Sequence, residues 1–454
     1  MRVVKFGGSN LKSKEDLAKI IQVIKNYNKP LVVVVSALFG VTDLLIDSIK
    51  KVGNSSEVIT ALEEKLLFDH TEIILRYVDE ENEQKRINDD IKIKISELRR
   101  YLLGIHYLGD TPDFAEDVIL SYGERLSALT LSSILKYMEI ENEVILPEEM
   151  GLFTDGEFGN ATVDFESSCP KLKRIIKEAK VYVVPGFYGI SKDKKITLFG
   201  RGGTDYTAAC IAKCLNAETL DFWKDVSGFM TADPKIVENP KKISALSYEE
   251  AAELSYFGAK ILHPRTFEPA SEESIPVRLF NINGDLNTSN PLTIIDHNRH
   301  ISKNVIKSVT YSEDFGIIKL KGPGVGVKPG ILSKATTELN KAKINIKSVI
   351  TSQTVINILF SLKDLYKSLE LINDLNINGV EEIEVIHNLS LIAVVGEGML
   401  EKSGIAARIF SAVSNHDINI LIISMGASRV ANYFIIDSSE RNKAIKSIHE
   451  EFFK

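Results

Sequence analysis

The sequence predicts an α/β protein, a three-layer αβα sandwich around a mainly parallel sheet, followed by two small ferredoxin-like α+β modules. Three observations carry this expectation. The chain opens on the strand-like "RVVKF", a Gly7-Gly8 turn, an amphipathic stretch to about Tyr27 and the β-branched run "LVVVVS" ending at Ser36, which together read as a βαβ unit. Continuous Val-rich runs of this kind belong to parallel strands covered on both faces. Near the other end, "GPGVGVKPGILSKATTELNKAKINI" (322–346) aligns without gaps on "GEGMLEKSGIAARIFSAVSNHDINI" (396–420) at a constant offset of 74 residues. A fixed period marks a repeated supersecondary unit, here strand, Gly-rich turn, helix, strand, strand, helix.

Between these ends the elements follow in order. Residues from about 57 to 110 are charged and helical and read as an excursion with ordinary solvated faces. Strand-like segments return at "KVYVVPGFYG" and "ETLDFWKDV", each closed by turn residues, and the first part ends near "NINGDLNTSNPLTIIDHN". The expected domains are therefore 1–300, 310–386 and 387–454.

The 454 residues are 44% hydrophobic with only 13 prolines, enough for real cores and, by length, about three domains. A net charge of -7 argues against nucleic acid or a membrane surface as partner and for a small molecule. Three cysteines, Cys169, Cys210 and Cys214, are too few for a disulfide framework, and Cys210 with Cys214 reads as helix-face packing. No apolar run approaches the roughly 18 residues of a membrane span, and "MRVVKFGG" is unlike a signal peptide; the expected location is the cytoplasm.

Two stretches carry chemistry. "LFGRGGTDYTAAC" (198–210) sets Gly200, Gly202 and Gly203 around Arg201 and runs into Thr204, Asp205 and a helix-like stretch. Glycines let backbone N–H groups approach an anion, and a helix N-terminus adds positive potential. Asp205 could equally be a structural N-cap. "KFGGSN" (5–10) is a second Gly-Gly turn, with Lys5 as a point charge suited to phosphate oxygens. Two anion cradles in one α/β domain suggest a phosphoryl donor, yet neither the P-loop nor the protein-kinase motifs occur.

With "VVVVSALFGVTDLL" (32–45), "SYGERLSAL" (121–129), "DFWKDVSGFMTADPKIV" (221–237) and "LSYEEAAELSYFGAKILHPRT" (246–266), these stretches resemble the aspartate kinases of the amino-acid kinase superfamily. The resemblance covers the whole chain, the 74-residue repeat matching that family's two ACT domains. It implies transfer of the γ-phosphoryl group of ATP, carried with Mg²⁺, to the side-chain carboxylate of L-aspartate, giving 4-phospho-L-aspartate for lysine, threonine, methionine and isoleucine synthesis. A carboxylate of ordinary pKa about 3.9 needs no general base, so positioning and charge neutralisation must supply the catalysis.

By the same resemblance, Lys5 and Asp205 are catalytic, and Ser36, Thr42, Glu124 and Arg201 bind aspartate. Arg201 would grip the α-carboxylate and Glu124 the α-ammonium, although Glu124 alone reads as a helix first-turn acid. The nucleotide falls to Lys5, Gly7, Gly8, Ser9, Gly202, Gly203, Lys224, Asp225, Met230, Lys235 and Lys260. No protein metal site is expected. Where the family commonly reads W-T-D-V-x-G-x-Y-T-x-D-P-R, this chain carries Lys224, Met230 and Lys235, which bears on nucleotide affinity. Ser9-Asn10 stands where Thr-Ser is usual.

The repeat modules should form a homodimer or higher homo-oligomer and bind an amino-acid effector. "INIKSVITSQTV" offers Lys347 and no acid, favouring a neutral effector such as threonine, or none. The chain ending after the second module points to a kinase without a fused homoserine dehydrogenase. The alternatives are a superfamily kinase for another acceptor and a non-catalytic amino-acid sensor.

Overall fold

Val32, Val33 and Val34 are all fully buried, as a strand covered on both faces requires. They lie in a computed structural model that describes residues 1–10, 14–259 and 261–454. The chain forms two compact units, one of residues 1–229, 242–255 and 260–300, the other of residues 230–241, 256–259 and 301–454.

The strands of the first unit are β1 (Arg2–Phe6), β2 (Leu31–Val35), β3 (Asn142–Val144), β4 (Phe153–Thr154), β5 (Val181–Pro185), β6 (Tyr188–Ser191), β7 (Ile196–Leu198), β8 (Thr219–Lys224), β9 (Ala245–Ser247), β10 (Val277–Asn281) and β11 (Thr293–Asp296). Its helices are α1 (Lys14–Lys25), α2 (Val41–Val52), α3 (Glu57–Tyr77), α4 (Glu81–Leu108), α5 (Asp113–Tyr137), α6 (Pro147–Met150), α7 (Phe165–Ile175), α8 (Gly203–Leu215), α9 (Tyr248–Tyr256) and α10 (Phe267–Glu272). The main sheet has eight strands in the order β3-β5-β2-β1-β8-β10-β11-β9, parallel throughout except for β10 against β11. The expected αβα architecture with a mainly parallel sheet is borne out. β4, β6 and β7 form a separate small sheet.

Register brings the carboxyl ends of four strands together. Lys5 pairs with Val34 of β2 and with Phe222 of β8, the Ser36 N–H donates to the Phe6 carbonyl, and the Gly186 N–H donates to the Val35 carbonyl. In parallel α/β sheets the ligand crevice lies at such strand ends.

Helices α3 and α4 bury a stripe, Ile87, Ile91, Ile95, Leu98, Leu102 and Ile105 on α4 alone, at the three- and four-residue spacing of one helical face. One buried polar group rides along: His70 of α3 is fully buried, its Nδ1 hydrogen-bonded to the Thr130 hydroxyl of α5 at 2.8 Å. Burial pulls its pKa from 6.5 down to about 4. The unfolded chain therefore binds the proton more readily, so the contribution is full above pH 6.5 and is lost as pH falls from 6.5 towards 4, at most about 3 kcal/mol. Thermal unfolding should show the wild type losing more stability than His70→Gln between pH 7 and 5; equal losses would show that His70 is not the sensitive group.

The cysteine expectation needs correcting. Cys169 of α7 and Cys214 of α8 form a disulfide, their Cα atoms 4.3 Å apart, and only Cys210 is free and buried. The two helices pack side by side, so partners 45 residues apart in sequence meet in a way that an i,i+4 reading of one helix cannot reveal.

In the second unit, β12 (Ser308–Ser312), β13 (Gly316–Lys321), β14 (Ser348–Thr351), β15 (Val355–Phe360), β16 (Glu382–Ile386), β17 (Leu389–Val395), β18 (Ile422–Ser424) and β19 (Ala431–Asp437) alternate with α11 (Ile331–Lys341), α12 (Leu362–Asp374), α13 (Ile405–Ser414) and α14 (Arg441–Phe453). They build two antiparallel sheets, β14-β15-β13-β16 and β12-β17-β19-β18. The repeat is real in space: Gly330 and Gly404, 74 positions apart, precede α11 and α13 with φ of 86° and 81°. The boundary expected at 310 falls inside β12, which pairs with β17 and so completes the second sheet. The first module, β13 to β16, is inserted between two neighbouring strands of the other. Among the described residues, no helix is long and apolar enough to cross a membrane.

Candidate active site

Lys5, at the end of β1, and Asp205, in the first turn of α8, are 5% exposed each and form an ion pair of 2.5 Å. Lys224, the last residue of β8, reaches the other oxygen of Asp205 at 3.0 Å. One carboxylate thus lies between two ammonium groups. Burial alone would raise the Asp205 pKa, but Lys224 and Lys5 together outweigh it and hold the group at about 2. Burial, assisted by Lys224, pulls Lys5 below its usual value against the attraction of Asp205 and Glu124. Asp205 is not the N-cap allowed for above: Gly202 occupies that position, leaving the carboxylate to the lysines.

Glu124 enters from α5. It lies in the middle of a helix spanning 113–137, not in a first turn. The preceding Gly123 has no Cβ, which would stand 2.8 Å from the Ala37 Cβ; glycine lets α5 close onto the chain that follows β2. The Glu124 carboxylate is 3% exposed, and its Oε2 has no hydrogen-bond partner among the described residues. Burial pushes its pKa up to about 8, opposed by the Ala37 amide, Lys5 and the Thr204 hydroxyl. A buried carboxylate with an empty acceptor is a receptor for a cation.

The other expected residues divide. Ser36 is half-buried beside the Gly7-Gly8 turn, where a Cβ on Gly8 would come within 3.9 Å of its own Cβ. Thr42 lies half-buried in the first turn of α2. Gly8, Ser9 and Asn10 form a 3-10 turn after β1. Gly202 and Gly203 open α8, and Arg201 beside them is exposed, without an ion pair among the described residues. Lys224, expected on the nucleotide side, engages Asp205. Asp225 is exposed next to it. Met230 and Lys235 group with the second unit. Lys260 lies outside the described residues. Among the described residues no group of three or more His, Cys, Asp or Glu side chains could hold a metal.

Three contributors escaped the sequence reading. Asn10 is 1% exposed and its Nδ2 donates to the Trp223 carbonyl at 2.5 Å, tying the Gly-Gly turn to β8; the departure from Thr-Ser was its only signal. Thr204 faces Glu124. Phe187 holds φ of 76° and packs against the start of α8, where a Cβ on Gly203 would stand 2.8 Å from its side chain; its N–H donates to the Thr207 hydroxyl at 2.9 Å.

Known proteins resemble this chain along its whole length. Residues 1–281 match the amino acid kinase family and residues 392–452 match an ACT domain. Aspartokinase 3 of Bacillus subtilis is 30% identical, the alignment covering 100% of this chain and 99% of that protein. The bifunctional aspartokinase/homoserine dehydrogenase of Buchnera aphidicola is also 30% identical over all of this chain, which spans 56% of that protein's length. Among solved structures, the aspartate kinase of Clostridium acetobutylicum is 28% identical, with a TM-score of 0.78 and 100% coverage of both chains. Sequence motifs, sheet order and these likenesses converge, and the chain belongs to the amino acid kinase family and, within it, to the aspartokinases.

Proposed function

We propose that this chain phosphorylates L-aspartate. A side-chain carboxylate oxygen of the substrate attacks the γ-phosphorus of Mg·ATP, the bond from that phosphorus to the bridging oxygen breaks, and ADP leaves with the electron pair. The product is 4-phospho-L-aspartate. The observation that carries the reading is the unsatisfied, buried Oε2 of Glu124 in electrostatic reach of Lys5: a receptor for an ammonium beside a receptor for a phosphoryl group.

No general base is needed, since the attacking carboxylate is already ionised at neutral pH. Asp205 could not serve as one, being held low and shared by two lysines. Its work is to fix Lys5 and Lys224 so that they meet the charge developing on the transferring group. The Gly7-Gly8 turn and the start of α8 add backbone donors for phosphate oxygens. Magnesium arrives as part of the nucleotide. Exposed Arg201 suits the substrate α-carboxylate, which a guanidinium can bind through two parallel hydrogen bonds. A non-catalytic sensor would have no use for the buried charges of Lys5 and Asp205, whose desolvation costs stability.

Regulation falls to the second unit. A pocket of about 500 Å³ in its first module is lined by Val325, Lys328, Leu332, Thr351, Ser352 and Gln353 among others. Its lining contains no carboxylate, which suits a neutral amino acid better than lysine. Lys347 is turned to Asp314 and is not in the lining. The open edges of β14 and β18, the latter with Ile423 exposed, suit pairing with a second copy.

The test is ADP release by purified protein with Mg·ATP and L-aspartate, beside L-glutamate and no-acceptor controls. Aspartate-dependent release is expected, with glutamate poorer by about 10–200-fold for its extra methylene. Release independent of any acceptor would overturn the reading.

A further inference from the structure

We propose that Arg265, working with Asp117, is a positioning residue that aims the Arg201 guanidinium at the substrate α-carboxylate. This rests on the aspartate reading above. Arg201 stands at the tip of a turn between Gly200 and Gly202, whose φ angles of 73° and 71° are both left-handed. Being exposed and without an ion pair among the described residues, its side chain takes its direction from the backbone beneath it.

That backbone is clamped from two sides. On one, Asp117 of α5, 3% exposed, accepts the Leu198 N–H at 2.8 Å and the Gly159 N–H at 2.9 Å through a single oxygen. On the other, Arg265 donates from Nη1 to the Phe199 carbonyl at 3.2 Å and to the Asn160 side-chain oxygen at 3.5 Å, and from Nη2 to the Ala161 carbonyl at 2.6 Å and the Thr162 hydroxyl at 2.8 Å. Its guanidinium also lies 4.1 Å from the Tyr206 ring centroid.

An anion on the N–H of residue 198 and a cation on the carbonyl of residue 199 immobilise the last peptide groups before the tip. The turn bearing Arg265 abuts the tip itself, since a Cβ on Gly202 would stand 2.3 Å from the His263 Cβ. Four hydrogen bonds from one planar group span the loops at 159–162 and 198–202, a reach that a single ammonium cannot reproduce. Fixing the loop before substrate arrives removes an ordering cost from binding. Asp117 and Glu124 lie seven residues apart on α5, two turns along one face, so one rigid helix sets the ammonium receptor and one jaw of the carboxylate clamp.

The test is a double-mutant cycle on the full chain with Arg201→Ala, Arg265→Met and their combination, reading KM for L-aspartate, KM for Mg·ATP, kcat and Tm. Arg265→Met should raise KM for aspartate by about 10-fold or more, as a misplaced binding group does, with kcat and KM for Mg·ATP changed little. Added to Arg201→Ala it should cost almost nothing further, because it acts through the residue already removed. Arg265→Lys should fall between. The proposal is overturned if folded Arg265→Met binds aspartate normally, or if the two effects multiply as independent ones. If Arg201→Ala itself leaves KM for aspartate unchanged in an active kinase, the α-carboxylate role of Arg201 has failed and the assignment falls with it. Should Arg265→Met not fold, Arg265→Lys and Asp117→Asn complete the same cycle.

Discussion

Lys5→Ala should lower kcat for aspartate-dependent ADP release by at least about 10²–10³-fold, the loss seen when one preorganised donor to a developing charge is removed. The expectation follows from where the ammonium sits. It is held at the end of a central strand, 2.5 Å from Asp205, in a water-poor site where a fixed charge is worth far more than in solution. Lys224 cannot simply replace it, because its own reach to Asp205 comes from the neighbouring strand. Folding should survive, since the Lys224 pair continues to compensate the Asp205 charge. Thermal unfolding beside the kinetics separates the two effects. Turnover within a few-fold of wild type would remove Lys5 from the mechanism; a large loss in both kcat and Tm would make its role mainly structural.

How much of this site the sequence disclosed can be judged residue by residue. Lys5 and Asp205 were picked out because the Gly-rich turns beside them match the aspartate kinase motifs, and the structure joins the two side chains in one ion pair. Glu124 was misplaced in its helix: local sequence shows an acid after a glycine, but not that α5 began eleven residues earlier, nor that Gly123 is there for close packing. Lys224 was assigned to the nucleotide from its position in a motif, and only the pairing of β1 with β8 shows that it shares Asp205 with Lys5. The repeat was plain in sequence, while the membership of β12 was not. Which sheet a strand joins is set by partners far along the chain, here β17, and periodicity carries no information about partners. The Asp117 and Arg265 clamp was invisible for the same reason. Its contacts link residues 42 to 105 positions apart, each an ordinary surface-type side chain when read alone.

Glu124→Gln should have opposite effects on binding and on stability. With its pKa raised to about 8, Glu124 is largely protonated at pH 7 in the free enzyme, and an α-ammonium needs the carboxylate. Aspartate binding must then release a proton. KM for aspartate should fall close to tenfold per unit as pH rises from about 6 towards 8 and level off above, the behaviour of a site that must ionise before it binds. Glu124→Gln should flatten that profile and raise KM above pH 8 by roughly 10–100-fold, the cost of losing a hydrogen bond to a charged group. Stability moves the other way. A folded pKa raised above the ordinary 4.5 means that the folded state holds the proton more tightly, so stability is full below pH 4.5 and is lost as pH rises through 8. Removing the charge should therefore raise Tm at pH 8 or above while binding worsens, because the carboxylate is retained for the substrate at the expense of the fold. A variant that binds aspartate poorly, keeps the wild-type slope of KM with pH and gains no Tm would show that the buried carboxylate is not the ammonium receptor.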